Sequence, residues 1–427
     1  MIRTDRLCVW ILMFGFAFFI PAQHWFPYVD ELCVMFLGCV ALADAMINRN
    51  WRRHGLLWLF MAIQTFYAIY SLTVVHFNTT PYIILDWILG LKPYVPLLVL
   101  YAVKPVFSGQ DKRFFRSIAI FNASLCFLFL VFRSTIPYTV GHVMSCGTVI
   151  MTSMLFYLIC SVEADGSVAR RRLIIMVVLL TAGLYCTRSK YYGEYILLLF
   201  MLFIYKPGMF SRINVKHLAI LALVSSVIVL ASWEKIDYYF ISGSMQEAHT
   251  AETLETFARP VLYLTSGLIF VDYFPFGSGL ASFASYASSA NYSLLYYDYG
   301  INMVWGLSPT MPDFICDAYY AQLAQYGIVG VALFIALFAF LIRRLSKLLE
   351  SDPKHQFYMF CAGISAICFI LIESVAGTAF IQSPGFMAMS IVALTLSKSC
   401  IGSPDETESI RSDNPVPAAS TISSRKI

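Results

Sequence analysis

The amino-acid sequence predicts an all-α, polytopic membrane protein of about twelve transmembrane helices with one large external loop. Three observations carry this. Charged residues make up 13% of the 427 and hydrophobic residues 59%, with a mean hydropathy of +0.71. A soluble domain holds about 25% charged residues, so most of this chain is not built to meet water. Apolar runs long enough to span recur from end to end, and they alternate too weakly to be barrel strands. Basic residues, finally, fall in every second connection.

The first run, Leu7 to Ile20, follows Arg3 and Arg6 and ends in Pro21, Ala22, Gln23 and His24. That start resembles a secretory leader, but no small-x-small site follows, so an uncleaved first helix is expected. Further spans are expected near 31–47, 55–75, 82–103, 115–132, 142–162, 173–187, 193–205, 217–232, 324–342, 357–374 and 378–397, the first lying near 7–22. With the N-terminus in the cytoplasm, the cytoplasmic connections hold 23 Lys and Arg. The opposite side holds five: Arg133, Arg188, Lys190, Lys235 and Arg259. This is the positive-inside pattern, and it places both termini in the cytoplasm. Residues 1–402 form the multi-pass domain, and 403–427, rich in Ser, Pro, Asp and Glu, read as a disordered cytoplasmic tail.

Residues 233–323 form the long external loop. Loops of that length in compact proteins are functional or disordered. This one is rich in aromatics, including Trp233, Tyr263, Phe276, Tyr296, Tyr297, Trp305 and Tyr319, and its stretch Val261–Phe274 is apolar enough to lie in the membrane. The eleven cysteines are scattered, with Cys39, Cys126, Cys160, Cys361 and Cys368 inside apolar runs. No CxxC pair or Cys/His spacing suggests a disulfide framework or a zinc site.

External basic residues are rare, so each requires a reason. Arg188 and Lys190 lie in the turn Cys186–Glu194, Arg259 opens the apolar part of the long loop, and Lys92 sits within the fourth span before Pro93. An intramembrane charge is a functional hypothesis by default. Plainer roles exist for all four. Arg188 and Lys190 can snorkel to headgroups, Lys190 can pair with Glu194 at i,i+4, Arg259 can anchor a surface helix, and Lys92 can pair with Asp86 or Asp44. The functional reading is that two external guanidinium groups grip a lipid-linked pyrophosphate through their planar forks. Loop aromatics would then stack on sugar faces, unless they form an interfacial belt. Asp317 opens the segment to Gly330 and suits either a general base or a helix cap. Gly277 and Gly279 permit a tight turn or close approach, and Gly327 and Gly330 permit close helix packing.

In order and topology these pieces resemble the O-antigen polymerase and O-antigen ligase family, which includes exopolysaccharide polymerases. The resemblance rests on Thr187-Arg188-Ser189, Arg259, Pro275-Phe-Gly-Ser-Gly279 and Asp317–Gly330, over roughly residues 180–345. It implies metal-independent glycosyl transfer, without a cofactor, in a bacterial inner membrane. The substrate would be an oligosaccharide repeat on undecaprenyl pyrophosphate. Arg188 and Arg259 would bind the pyrophosphate and stabilise its developing charge, with Asp317 as candidate base. Lys190, Tyr191, Lys92, Gly277, Gly279 and Tyr320 are the expected substrate-binding residues. Membrane lipid and a chain-length regulator protein are the other expected partners, and nucleic acid is not one. Ligases of this family carry a His in the closing motif. Here Cys316 and Asp317 stand there, and the loop's His249 lies far upstream, which favours a polymerase. A ligase remains one alternative. A transporter or flippase of lipid-linked sugars is another, and Lys92-Pro93 with Asp86 gives it support.

Overall fold

The computed structural model describes residues 3–19, 26–209 and 258–397. Every regular element among them is helical. In chain order these are α1 (Thr4–Phe18), α2 (Val29–Met46), α3 (Gly55–Tyr70), α4 (Thr80–Gly90), α5 (Tyr94–Val103), α6 (Gly109–Val131), α7 (Val143–Ser161), α8 (Arg170–Ala182), α9 (Ser189–Leu199), α10 (Ala258–Asp272), α11 (Gly327–Ser351), α12 (Pro353–Glu373) and α13 (Ser383–Ser397). A tighter turn before α3 and a wider one after it extend that helix to Trp51–Val75.

Among the described residues five helical stretches are long and apolar enough to cross a membrane: Trp51–Val75, Gly109–Val131, Val143–Ser161, Tyr319–Ser351 and Pro353–Glu373. The count is six if α4 and α5 form one span, which bends by 42°. Expected spans at the start of the chain, at 173–187, at 193–205 and at its end coincide with shorter helices. Over the described residues those helices have 15, 13, 11 and 15 residues. At 1.5 Å per residue, 15 residues reach about 22 Å, short of a roughly 30 Å hydrocarbon core. The expected span 217–232, the tail, Trp233, Lys235 and His249 lie outside the described residues.

Local chemistry shifts several boundaries. α6 starts earlier than its apolar run because Ser108 and Asp111 form a reciprocal cap, each bonding the other's backbone N–H. Pro353 opens α12 after Asp352, whose carboxylate accepts from the His355 N–H. The break between α4 and α5 falls at Leu91–Pro93, where proline supplies no N–H to the helical ladder.

The core is built around α7, which is buried on every side from Cys146 to Ser161, and α13, buried from Gly385 to Leu396. A helix apolar all round belongs inside a bundle. The periphery is apolar too: Leu56, Leu59, Phe66 and Ile69 on α3 and Ile328, Leu333 and Ile335 on α11 are exposed. Such faces suit lipid, and a water-soluble protein would hide them.

The described part of the long loop has its own core. α10 uses the apolar stretch, and Leu262, Ile269, Phe283, Leu295, Tyr296, Leu307 and Ile315 pack together. Tyr296 is fully buried, and its hydroxyl accepts from the Ala284 N–H at 2.8 Å, so it is not free to stack on a sugar. Trp305 and Tyr297 stay exposed. This cap is seated on the C-terminal end of α3 and the middle of α4. Leu280 N–H donates to Ser71 Oγ and Ala281 N–H to Asp86 Oδ2, both at 2.7 Å.

Candidate functional site

Arg188 is placed by a backbone turn. Thr187 stands at φ +53, an uncommon conformation for a β-branched residue, and it redirects the chain into α9. Arg188 then holds the N-cap position in extended conformation. Its guanidinium Nε is buried with no hydrogen-bond partner, and among the described residues no carboxylate pairs with it. A guanidinium at the N-terminus of a helix adds to the positive end of the helix dipole, so the place suits an anion.

Two residues on, Lys190 is tied down. Its ammonium donates to Ala376 O at 2.6 Å, Glu373 O at 3.0 Å and Glu373 Oε2 at 3.1 Å. Three acceptors match its three donors. The expected pair with Glu194 is not formed. Glu194 is buried, and neither of its carboxylate oxygens has a partner. Lys190 is therefore an anchor that fixes the start of α9 on the turn after α12. Its partner Glu373 was legible as the lone carboxylate, and the lone formal charge, of the 357–374 run.

That same turn is held from the other side by the loop. Tyr263 on α10 donates its hydroxyl to Val375 O at 2.7 Å, and the Tyr319 N–H bonds Gly377 O at 3.3 Å. One turn before Tyr263, Arg259 donates from Nε to Asp317 O at 3.2 Å and forms an ion pair with the Asp317 carboxylate. Arg188 and Arg259 thus belong to elements that flank one short turn, residues 374–378. Asp317 is not a helix cap: Ala318 stands before the short helix Tyr319–Gln322, which has no side-chain cap. Next to it, burial pushes the Cys316 thiol up to about 12, with the Asp86 and Asp317 carboxylates adding to the effect. It is a thiol rather than a nucleophilic thiolate at neutral pH.

Other expected substrate-binding residues have structural places. Tyr191 is 2% exposed, its hydroxyl bonds Leu180 O at 2.7 Å, and its ring lies against Gly147 and Gly183. A buried, satisfied side chain of this kind cannot reach a substrate. Tyr191→Phe should leave activity unchanged and lower stability by about 1 kcal/mol, the usual net worth of one hydrogen bond, read as a small drop in melting temperature in detergent. Tyr320 donates to Leu371 O at 2.7 Å.

Lys92 is buried and pairs with Asp30 at 3.0 Å and with Glu31, not with Asp86 or Asp44. Asp44 instead accepts from Asn48, Asn50 and His54. Gly277 and Gly279, both near φ +80, are packing glycines. A Cβ on Gly277 would stand 2.2 Å from Ala324 O, and one on Gly279 2.6 Å from Val75 Cγ2. Gly327 faces Gly277 backbone to backbone.

Among the described residues no group of three His, Cys, Asp or Glu side chains could hold a metal ion. No family model matches the chain, and no curated protein is significantly similar to it.

Proposed function

We propose that this protein is a polysaccharide polymerase of about twelve membrane spans. In this reading it joins undecaprenyl-pyrophosphate-linked oligosaccharide repeats at the periplasmic face of the bacterial inner membrane. The observation that carries the reading is Arg188: a guanidinium at a helix N-terminus, paired with no carboxylate among the described residues, on an element that flanks the same turn as the element bearing Arg259. The rarity of basic residues on that side and the order of the motifs around them point the same way.

The transfer balances simply. The acceptor sugar's hydroxyl oxygen forms a bond to the anomeric carbon of the donor. The bond from that carbon to the pyrophosphate oxygen breaks, and the lipid pyrophosphate leaves with the electron pair. Arg188 and Arg259 would stabilise its growing charge. When Arg259 turns to the pyrophosphate it releases Asp317, whose carboxylate would then take the acceptor's proton. Lys190 and Glu373 act as positioning residues, holding α9 to the turn.

A flippase for lipid-linked sugars is the second reading, favoured by the buried Lys92–Asp30–Glu31 cluster where the bent span breaks. Glycolipid analysis of a deletion strain separates the possibilities. Single repeats accumulating on the carrier at the periplasmic face are expected. Long chains still on the carrier would indicate a ligase, and repeats trapped in the cytoplasm a flippase.

A further inference from the structure

An apolar cleft of about 320 Å³ lies between α3, α5 and α11, and its exposed lining residues Leu56, Leu59 and Leu333 leave it open along one side. Its walls are hydrocarbon from Leu56 to Ile63 on α3 and from Phe340 up to Leu333 on α11, and it meets polar side chains at Gln64 and Gln322. At 1.5 Å per residue, Leu56 to Gln64 covers about 12 Å and Leu333 to Phe340 about 11 Å. Half of a roughly 30 Å hydrocarbon core is about 15 Å, so the apolar depth matches a single leaflet.

The cleft's lower end is charged. A second cavity of about 340 Å³, lined by Arg53, His54 and Lys104, has Leu56, Leu98 and Tyr101 in common with the cleft, so the two adjoin. The Arg53 fork is locked, donating to Ala102 O at 2.7 Å and Val103 O at 2.5 Å, and its remaining nitrogen pairs with Asp44 Oδ2 at 3.5 Å, so its charge is already matched inside the protein. Lys104 closes α5 in left-handed conformation and is exposed, with no ion pair among the described residues. Arg344 adds positive charge at the same end, its guanidinium 5.3 Å from the centre of the Phe340 ring that lines the cleft.

From the basic end and the one-leaflet depth we infer that this site binds an anionic phospholipid, one acyl chain in the cleft and its phosphate at Lys104. Charge complementarity selects an anionic head over a zwitterionic one. The depth selects an acyl chain of the leaflet at the basic end over an isoprenoid long enough to cross the membrane. The inference stands apart from the glycan reading, because it rests only on the helices lying in a bilayer.

Native mass spectrometry of the full chain, extracted in detergent and exchanged into mixtures of phosphatidylglycerol and phosphatidylcholine, tests it. The wild type should retain one phosphatidylglycerol, preferred about tenfold. Lys104→Gln, at an exposed position, should cut that preference about fivefold, the effect of one basic residue near an anionic surface. Leu98→Trp, which fills the junction of the cavities, should remove the retained lipid. Equal retention of the two lipids by the wild type would overturn the inference. So would a preference unchanged in Lys104→Gln, or an isoprenoid phosphate as the species retained from cells.

Discussion

Arg188→Ala is expected to reduce long-chain glycan at least a hundredfold in cells while leaving the protein folded. The argument is that its side chain contributes little to the fold: Nε is buried without a partner, and among the described residues no carboxylate meets it. Removing it therefore breaks no internal ion pair. Removing one preorganised donor to developing negative charge lowers a rate by roughly 10²–10³. Arg188→Lys should recover part of the activity, since it restores the charge but not the planar fork. Glycan chain length on gels, read beside a melting curve in detergent, checks both halves. Full-length polymer from the alanine variant would remove Arg188 from the mechanism. A collapsed melting curve would show that its role is structural.

The second large effect is expected at the glycine contact between loop and bundle. Gly277→Ala and Gly327→Ala should each destabilise the protein on the order of 3 kcal/mol, combining backbone strain with overpacking. Gly277 stands at φ +80, and a Cβ there would lie 2.3 Å from the Gly327 nitrogen. Gly327 stands at φ +60 and ψ −165, a region open to glycine alone, and its Cβ would lie 2.4 Å from Pro275 O. All of these obstacles are backbone, so no side chain can swing aside. Gly38, whose Cβ would meet nothing within 4 Å, is the control, and Gly38→Ala should melt like the wild type. Melting temperatures of the three purified variants decide the matter. Wild-type stability in Gly277→Ala would mean that the loop is not seated on the start of α11.

The sequence was most legible where a single physical rule acts along the chain. Apolar runs announced the helices, since burial of an unpaired backbone is prohibitive and a helix satisfies its own groups. The apolar stretch in the long loop announced α10, and the 233–323 loop's wealth of aromatics fits a segment with a core of its own. Helix ends were less legible, because Ser108 with Asp111 lengthens α6 at its start, and Arg343 and Arg344 lie within α11. The charges marked the residues that matter but not their partners. Lys190 seemed matched to Glu194 at i,i+4, yet its ammonium reaches Glu373, 183 residues away in sequence. Lys92 reaches back to Asp30 and Glu31. Pairing across a bundle depends on which helices become neighbours, and local spacing carries no record of that.

By itself, then, the chain's composition and periodicity determined that it is helical and made for a bilayer, because both follow from one-dimensional facts: run length, charge content and the alternation of basic turns. Only the tertiary structure decided which of the marked side chains are still open to a ligand. Tyr191, Lys190 and Lys92 are satisfied by groups brought to them from distant helices, whereas Arg188 meets no carboxylate among the described residues. The physical reason is that a polar group's state is set by its neighbours in space, and a buried donor is either bonded or left wanting only once the helices have packed.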